Sequence, residues 1–318
     1  MGKTKVVFIT GFWLSGGTIL GKSLMSSKEV IFVGEVRDFY TFGIITNQQC
    51  SCGERFSNCN FWQNVKNEYI NSFPSESIEK ITEELGKFEK WTNYFKLKKF
   101  IRNKNDKSYQ LFLDNYLKHT EKLYEIISKL SGGKIIVDTS RTPVRLLAIS
   151  QSTKLDVFPI YIIRDPRGVV NSYIKKDIRN YGKKKHSVIM QILKWGIKSL
   201  LSLNAMKSFN TTNKIYLSYS YFTNNSVHVL DILEKSLNLK FEYIVENGRV
   251  SLNQKLGGHV FSGNRLRLTT GKIPIIEDVK WRDELKWTYK ILVSIISIPL
   301  FKYILTKYRY YFNYMMNT

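Results

Sequence analysis

The sequence predicts a three-layer α/β fold, with a central, mostly parallel sheet of about five strands and helices on both faces. Three observations carry this. Short β-branched apolar runs alternate with helical stretches along much of the chain. The first run, Lys5–Thr10 (KVVFIT), is apolar without alternation, as a strand buried on both faces must be. It passes directly into a glycine-rich turn and an apolar-striped helix, Gly11–Leu24 (GFWLSGGTILGKSL), the layout of an anion-holding strand–loop–helix unit.

The elements follow in order. A helix starts near Thr18, and Val30–Val36 (VIFVGEV) reads as the second strand. From about Ile44 to Leu130 the pattern is helical and polar; Leu113, Leu117, Leu123, Ile126, Ile127 and Leu130 recur at helical spacing and stop at Ser131-Gly132-Gly133. Lys134–Asp138 (KIIVD) is the third strand, followed by a short helix after Pro143. Val157–Asp165 (VFPIYIIRD) is the fourth, and Pro166 opens the next helix, where a missing N–H costs nothing. Lys214–Phe222 (KIYLSYSYF) is the fifth. The expected organisation is one domain, 1–318: an α/β core at about 3–43 and 131–275, a helical insertion at about 44–130 and C-terminal helices at about 276–318.

With 318 residues and 43% apolar content, the chain can bury a full core. Its formal charge of +23 favours acidic partners: phosphorylated cofactors, nucleic acid, anionic lipid or anionic polymers. The basic runs Lys96–Lys107 and Lys183–Lys185 carry no recognised nucleic-acid reading module, so no specific nucleic acid is expected. The first residues run into a strand without the apolar core of a signal peptide, which sets the expectation of a cytoplasmic protein. No run reaches ~18 uninterrupted apolar residues. Ile291–Phe301, which carries Pro299, reads as a core or docking helix, and the lysines around it leave open a peripheral contact with an anionic membrane surface.

Cys50, Cys52 and Cys59 share one short segment, with no fourth ligand beside them in sequence. A structural zinc site wants four, so free thiols and no metal are expected. His119, His186, His228 and His259 are scattered and form no ligand pair.

The glycine-rich turn has two registers. Gly16–Ser23 reads literally as G-x-x-x-x-G-K-S, a nucleotide-binding P-loop with Lys22 at the phosphates. That register leaves Gly11–Ser15 as spare chain and puts Ile19 and Leu20 in a solvated cradle. In the other, the loop starts at Gly11, where the apolar run stops. Gly11, Ser15, Gly16, Gly17 and Thr18 then hold the anion, Ile19, Leu20 and Leu24 form the helix stripe, and Lys22 lies inside the helix. The second register fits the periodicity.

In that register the loop resembles the 5′-phosphosulfate loop of sulfotransferases that use PAPS (3′-phosphoadenosine 5′-phosphosulfate), usually G-x-x-[RK]-S-G-[TS]-T-x-L. Ser15, Gly16, Thr18 and Leu20 match; Leu14 stands where the family has Arg or Lys, and Gly17 where it has Thr or Ser. Tyr161–Tyr173 (YIIRDPRGVVNSY) resembles the family's 3′-phosphate motif, with Arg164 and Ser172 eight residues apart as the family has them. Cys50–Trp62 resembles a cysteine-bearing insertion of bacterial members, and Val137–Pro143 (VDTSRTP) resembles their VDSSKSP, with Arg141 for Lys. Tyr219 is kept where the family reads RYEDL, without its acidic pair, and Gly258–Arg267 resembles a C-terminal phosphate loop containing Asn264 and Arg265. The resemblance spans nearly the whole chain and implies a P-loop-NTPase-like fold.

It further implies PAPS as donor, PAP (the 3′,5′-bisphosphate product) as the other bound form, no metal, and an acceptor hydroxyl or amine on a small molecule, carbohydrate or lipid. Sulfuryl transfer needs positioning, cations on the leaving phosphate oxygens and a base for the acceptor proton. Glu35 is the candidate base, at the C-terminal end of the second strand where open α/β sheets bind ligands, with Arg37 toward the acceptor. Asp138 is the reserve base. Arg141, and otherwise Lys22, would replace the loop cation that Leu14 lacks. Two rivals stand beside this reading: a catalytically weakened PAPS- or PAP-binding protein of the same fold, and a P-loop kinase or NTPase.

Overall fold

The computed structural model describes residues 2–183, 187–210, 214–246, 249–254 and 258–308. Lys184, Lys185 and His186, singled out above, lie outside the described residues. β1 (Thr4–Gly11) leads through a loop into α1 (Gly17–Leu24) and then β2 (Val30–Gly34). A 3₁₀ turn at Val36–Asp38 and a π-helical run at Phe39–Ile45 open the insertion. Its helices are α2 (Asn60–Ser72), α3 (Ile78–Phe88), α4 (Asn93–Asn103) and α5 (Lys107–Leu130). The core resumes with β3 (Ile135–Asp138), α6 (Pro143–Ile149), β4 (Leu155–Ile163), α7 (Pro166–Tyr181), α8 (Val188–Met206) and β5 (Ile215–Ser218). Next come α9 (Tyr219–Asn224), α10 (Ser226–Leu237), β6 (Ile244–Glu246), β7 (Arg249–Gln254), β8 (Gly271–Pro274), α11 (Trp281–Glu284) and α12 (Trp287–Lys307).

The central sheet is five-stranded and parallel, in the order β2-β3-β1-β4-β5. β1 lies at its centre and pairs with β4 along its whole length, Thr4 with Leu155 through Gly11 with Ile162. Val6, Val7, Phe8 and Ile9 are buried on both faces, which is why this strand shows no polar alternation. The connection after β1 runs to one side of the sheet and that after β4 to the other. The switch point therefore falls between the C-terminal ends of β1 and β4, where such sheets bind ligands.

Three features depart from the sequence reading. The run Lys214–Phe222 is not one strand: β5 stops at Ser218, whose hydroxyl accepts from the Tyr221 N–H at 3.5 Å and starts α9. Its aromatic residues suit either state, and the cap decides. A second, antiparallel sheet, β6-β7-β8, was not anticipated; β6 and β8 are largely exposed and polar residues interrupt β7, so none carries a continuous apolar run. The apolar C-terminal stretch is longer than Ile291–Phe301. α12 is the one helix among the described residues long and apolar enough to cross a membrane, and Trp287, Ile291 and Ile295 on it are exposed.

Candidate functional site

β1 ends at Gly11 and α1 begins at Gly17, so the loop occupies the Gly11 register. The pair Gly21-Lys22 has a packing role. Phe32 of β2 lies so close that a Cβ on Gly21 would come within 2.6 Å of its ring. The Lys22 ammonium donates to the Thr269 carbonyl at 2.7 Å, and burial lowers its pKa to about 8. The Lys22 ammonium is thus engaged by Thr269, in the segment that precedes β8.

The loop turns back at Gly16, in the left-handed region with φ 96°. The Tyr219 ring lies against it: a Cβ there would meet that ring at 2.4 Å. Leu14 is also left-handed, with φ 64°, and directs its carbonyl to Arg164. Ser15 is buried, and its hydroxyl has no hydrogen-bond partner. A buried hydroxyl left unsatisfied is costly, so Ser15 can take up one more polar partner.

Arg164 ends β4 beside this loop. Its Nη1 donates to the Leu14 carbonyl at 3.0 Å and to the Ser172 hydroxyl at 3.3 Å. Its Nη2 donates to the backbone oxygen and the carboxylate of Asp278, at 2.9 and 3.0 Å, and the guanidinium lies 4.7 Å from the Tyr219 ring centre. The Arg164 charge holds the Asp278 carboxyl below its usual range, against the opposing effect of burial. Gly16, Arg164, Ser172 and Tyr219, chosen separately along the chain, thus form one cluster. The N-terminus of α7 beside it is ordered by Pro166 and by Asp165, whose carboxylate accepts from the Arg167 N–H at 2.8 Å.

A second group gathers at the ends of β2 and β3. Arg141 donates from Nη2 to Glu35 Oε1 and from Nε to the Thr139 carbonyl, the latter at 2.9 Å. Its backbone is left-handed, φ 57°, which costs a non-glycine residue about 1–2 kcal/mol and is held by these contacts. Its side chain reaches the head of α1: a Cβ on Gly17 would lie 3.9 Å from Arg141 Cδ. Thr18 follows, buried in the first turn. Arg37 pairs with Glu89 at 3.5 Å, and its N–H donates to Ser140.

Asp138 does not face this space. It is fully buried, and its oxygens accept from the N–H groups of Ser140 and Val36 (2.7 and 3.3 Å), the Ser140 hydroxyl and Tyr124, with Arg145 3.5 Å away. Its role is to fix the end of β3 and the turn to Arg141, so the reserve assignment as a base is corrected. Asn264 and Arg265 are exposed. Asn264 caps the 3₁₀ turn Arg265–Leu268, and neither contacts Arg164 among the described residues.

Three neighbours of these groups were not singled out from sequence. Lys198 of α8 lies 4.2 Å over the Trp13 ring in the loop; burial, then the nearby Arg37 charge, lowers its pKa to about 8. Glu89, at the end of α3, is shared by Arg37 and by Arg145 at 3.0 Å. Asp278 precedes α11. Nothing local marks any of them: each lies in ordinary helix or loop sequence, and only the fold brings it here. The cysteine segment brings the last correction. His259 meets Cys50 and Cys59, so a fourth ligand of the right kind does lie beside the thiols in space.

No family model matches this chain, and no curated protein matches it. Among solved structures it is similar to the sulfotransferase domain from the curacin biosynthetic pathway, at 16% identity and TM-score 0.48, covering 92% of this chain and 97% of that one. It is similar to the sulfotransferase domain of the Synechococcus PCC 7002 olefin synthase, at 15% identity and TM-score 0.47, covering 92% and 94%. It is also similar to sulfotransferase STF9 from Mycobacterium avium, at 8% identity and TM-score 0.44, covering 75% and 64%.

Proposed function

We propose that this protein is a sulfotransferase that takes a sulfuryl group from PAPS and transfers it to an acceptor hydroxyl or amine. One observation carries the reading: a single guanidinium, Arg164, touches both Ser172 and the backbone of the Gly11–Thr18 loop at the sheet's switch point. In this reading Arg164 and Ser172 hold the donor's 3′-phosphate. Asp278 holds the far edge of the guanidinium and aims Nη1 at Ser172. The loop residues Gly11, Ser15, Gly16, Gly17 and Thr18, at the positive end of α1, take the 5′ end, with Ser15 gaining its missing partner. Tyr219 packs the loop turn, and Asn264 and Arg265 stand at the exposed rim as further phosphate contacts.

The donor supplies the electrophilic sulfur; the residues supply charge, position and a base. Arg141 stands over the head of α1, and Lys198 flanks the loop through Trp13, so two cations replace the one absent at Leu14. Glu35, oriented by Arg141, accepts the acceptor's proton, and Arg37, held by Glu89, lies toward the acceptor side. The helices of the insertion and of the C-terminal segment wall the acceptor cleft, whose occupant is a small molecule, a carbohydrate or a lipid. Exposed Trp287, Ile291 and Ile295 on α12, with Lys286, Lys290 and Lys302 nearby, support a peripheral contact with an anionic membrane surface. A cytoplasmic location belongs to the same reading.

One observation favours a second reading. Leu14 leaves the loop without a cation of its own, which suits a protein that holds PAPS or PAP and turns over slowly. The P-loop kinase or NTPase reading lacks a lysine at the phosphates, since Lys22 is bonded to Thr269. Titration of the protein with PAP, and with ATP with and without magnesium, tests the proposal. Tight PAP binding without metal is expected; ATP binding only with magnesium refutes it. Glu35→Gln should keep PAP affinity and lose transfer, and a fully active variant would place the base elsewhere.

A further inference from the structure

Cys50, Cys52, Cys59 and His259 form a cluster that the reaction above does not use. Their ligand atoms all lie within 4.8 Å of one another. The His259 Nδ1 is 3.2 Å from the Cys59 sulfur and 3.9 Å from the Cys50 sulfur. A tetrahedral zinc, with bonds of about 2.3 Å to sulfur and 2.0 Å to nitrogen, spaces its ligand atoms roughly 3.5–3.8 Å apart. The set is already near that spacing. Its chemistry is also selective: soft thiolates with one imidazole suit zinc over magnesium or calcium.

The surroundings are those of a built site. The thiol segment is held by its own backbone: the Cys50 N–H donates to the Glu54 carbonyl at 2.7 Å, and the Gly53 N–H to the Cys50 carbonyl at 3.1 Å. Gly53, with φ 100°, allows the tight turn that brings Cys52 back toward Cys50. The His259 ring stacks on Phe61, centroids 4.6 Å apart and planes 11° from parallel, and the Trp62 indole donates to its carbonyl at 2.7 Å. Those contacts fix the ring with Nδ1 toward the thiols, the orienting task of groups around metal ligands. Cys50 and Cys59 are buried, while Cys52 and His259 stay half-exposed, so an ion can reach the set from solvent.

We propose that Cys50, Cys52, Cys59 and His259 bind one zinc ion as a closed structural site. Its position gives it a purpose. The cysteines sit at the start of the helical insertion, and His259 sits about two hundred residues later, before β8. The ion therefore ties the insertion to the loop 258–263. That loop lies on the candidate active site: the Ser262 hydroxyl donates to Asp38, and Gly263 lies beside both Glu35 and Arg141. With four protein ligands the ion has no open position, so it holds the wall of the site and takes no part in transfer. Binding also expels protons from the thiols, so occupancy falls as pH is lowered.

The experiment uses the full chain, expressed with zinc available and purified without chelator, with metal content read by plasma mass spectrometry. One zinc per chain is expected. Cobalt added after zinc removal should give the intense visible bands of a tetrahedral site and sulfur charge-transfer absorption. Cys52→Ser, at a half-exposed position that should tolerate the change, and His259→Ala should each weaken zinc retention at least tenfold. Zinc removal should raise hydrogen exchange in 258–263 while leaving the β1–β4 pair protected. A metal-free chain with a mass two hydrogens lighter would mean a disulfide and overturn the proposal. Iron in place of zinc, or cobalt spectra without thiolate absorption, would overturn it equally.

Discussion

Lys198 illustrates how much one charge depends on what surrounds it. On an exposed helix face it would titrate near 10.5; here burial and the Arg37 charge bring it down to about 8. Its protonated form is the one that can stabilise developing negative charge, so that form is lost as pH rises through about 8. Donor-dependent transfer should therefore fall above that pH. Lys198→Met should lower turnover roughly 10²-fold and flatten that limb, whereas Lys198→Arg should restore activity and carry it to higher pH. A pH–rate profile of the three proteins decides it, and an unchanged profile in Lys198→Met would remove Lys198 from the site. Asp38 shifts the opposite way. Burial, then the neighbouring Glu35 charge, pushes its carboxyl up to about 7, above the unfolded value near 3.8. A group raised in this way contributes stability that is fully present below about pH 4 and is lost as pH rises through about 7. Asp38→Asn should thus be more stable than the parent by at least about 1 kcal/mol at pH 8, with the difference gone at pH 4. Denaturant melts at both pH values measure this, and an equal difference at both would contradict the assignment.

The strand–loop–helix unit shows what an element can reveal before its fold is known. Its register was legible because Ile19, Leu20 and Leu24 require a buried face, and a phosphate cradle cannot provide one. The five strands of the central sheet were legible for the same reason, as short β-branched runs that must be buried on both sides. The end of β5 was not, because Ser218 as a cap outweighs the strand preference of Tyr219 and Tyr221. The small sheet was not, because its strands are largely exposed or interrupted by polar residues and hold no continuous apolar run. Gly21 now tests the register at this scale. Gly21→Ala gains about 1 kcal/mol of helix propensity, but its Cβ would meet the Phe32 ring at 2.6 Å. Overpacking of that kind costs about 1–3 kcal/mol and should win. Thermal melts should show net destabilisation with PAP affinity intact. A stable variant that has lost nucleotide binding would return Gly21-Lys22 to the phosphates.

At the scale of the molecule, the site is an assembly of distant pieces. Ser15, Arg164 and Ser172 were singled out in the sequence because the segments that carry them resemble a family's phosphate motifs; the structure puts Arg164 in contact with Ser172 and with the loop that holds Ser15. Arg141 and Glu35 were singled out because both follow parallel strands on the same edge of the sheet, and the structure pairs them. Lys198, Glu89 and Asp278 were hidden, since each meets these residues across the fold from an element with no signature. His259 was visible as a residue but not as a partner of the cysteines, because the sequence does not show which loop returns to which. Asp138 was misread for the complementary reason: its place at a strand end is right for a base, and only its buried partners show that it organises the turn.

Recognition of a 3′-phosphate by Arg164 can be tested by a thermodynamic cycle in calorimetry. PAP and AMP, which differ only in that phosphate, are titrated without metal into the parent protein and into Arg164→Ala. PAP should bind the parent at least tenfold more tightly than AMP, as a charge-assisted contact to one phosphate requires. In Arg164→Ala that preference should collapse while AMP affinity changes little. Equal affinity of the parent for PAP and AMP, or a preference that survives in Arg164→Ala, would exclude Arg164 as the 3′-phosphate contact.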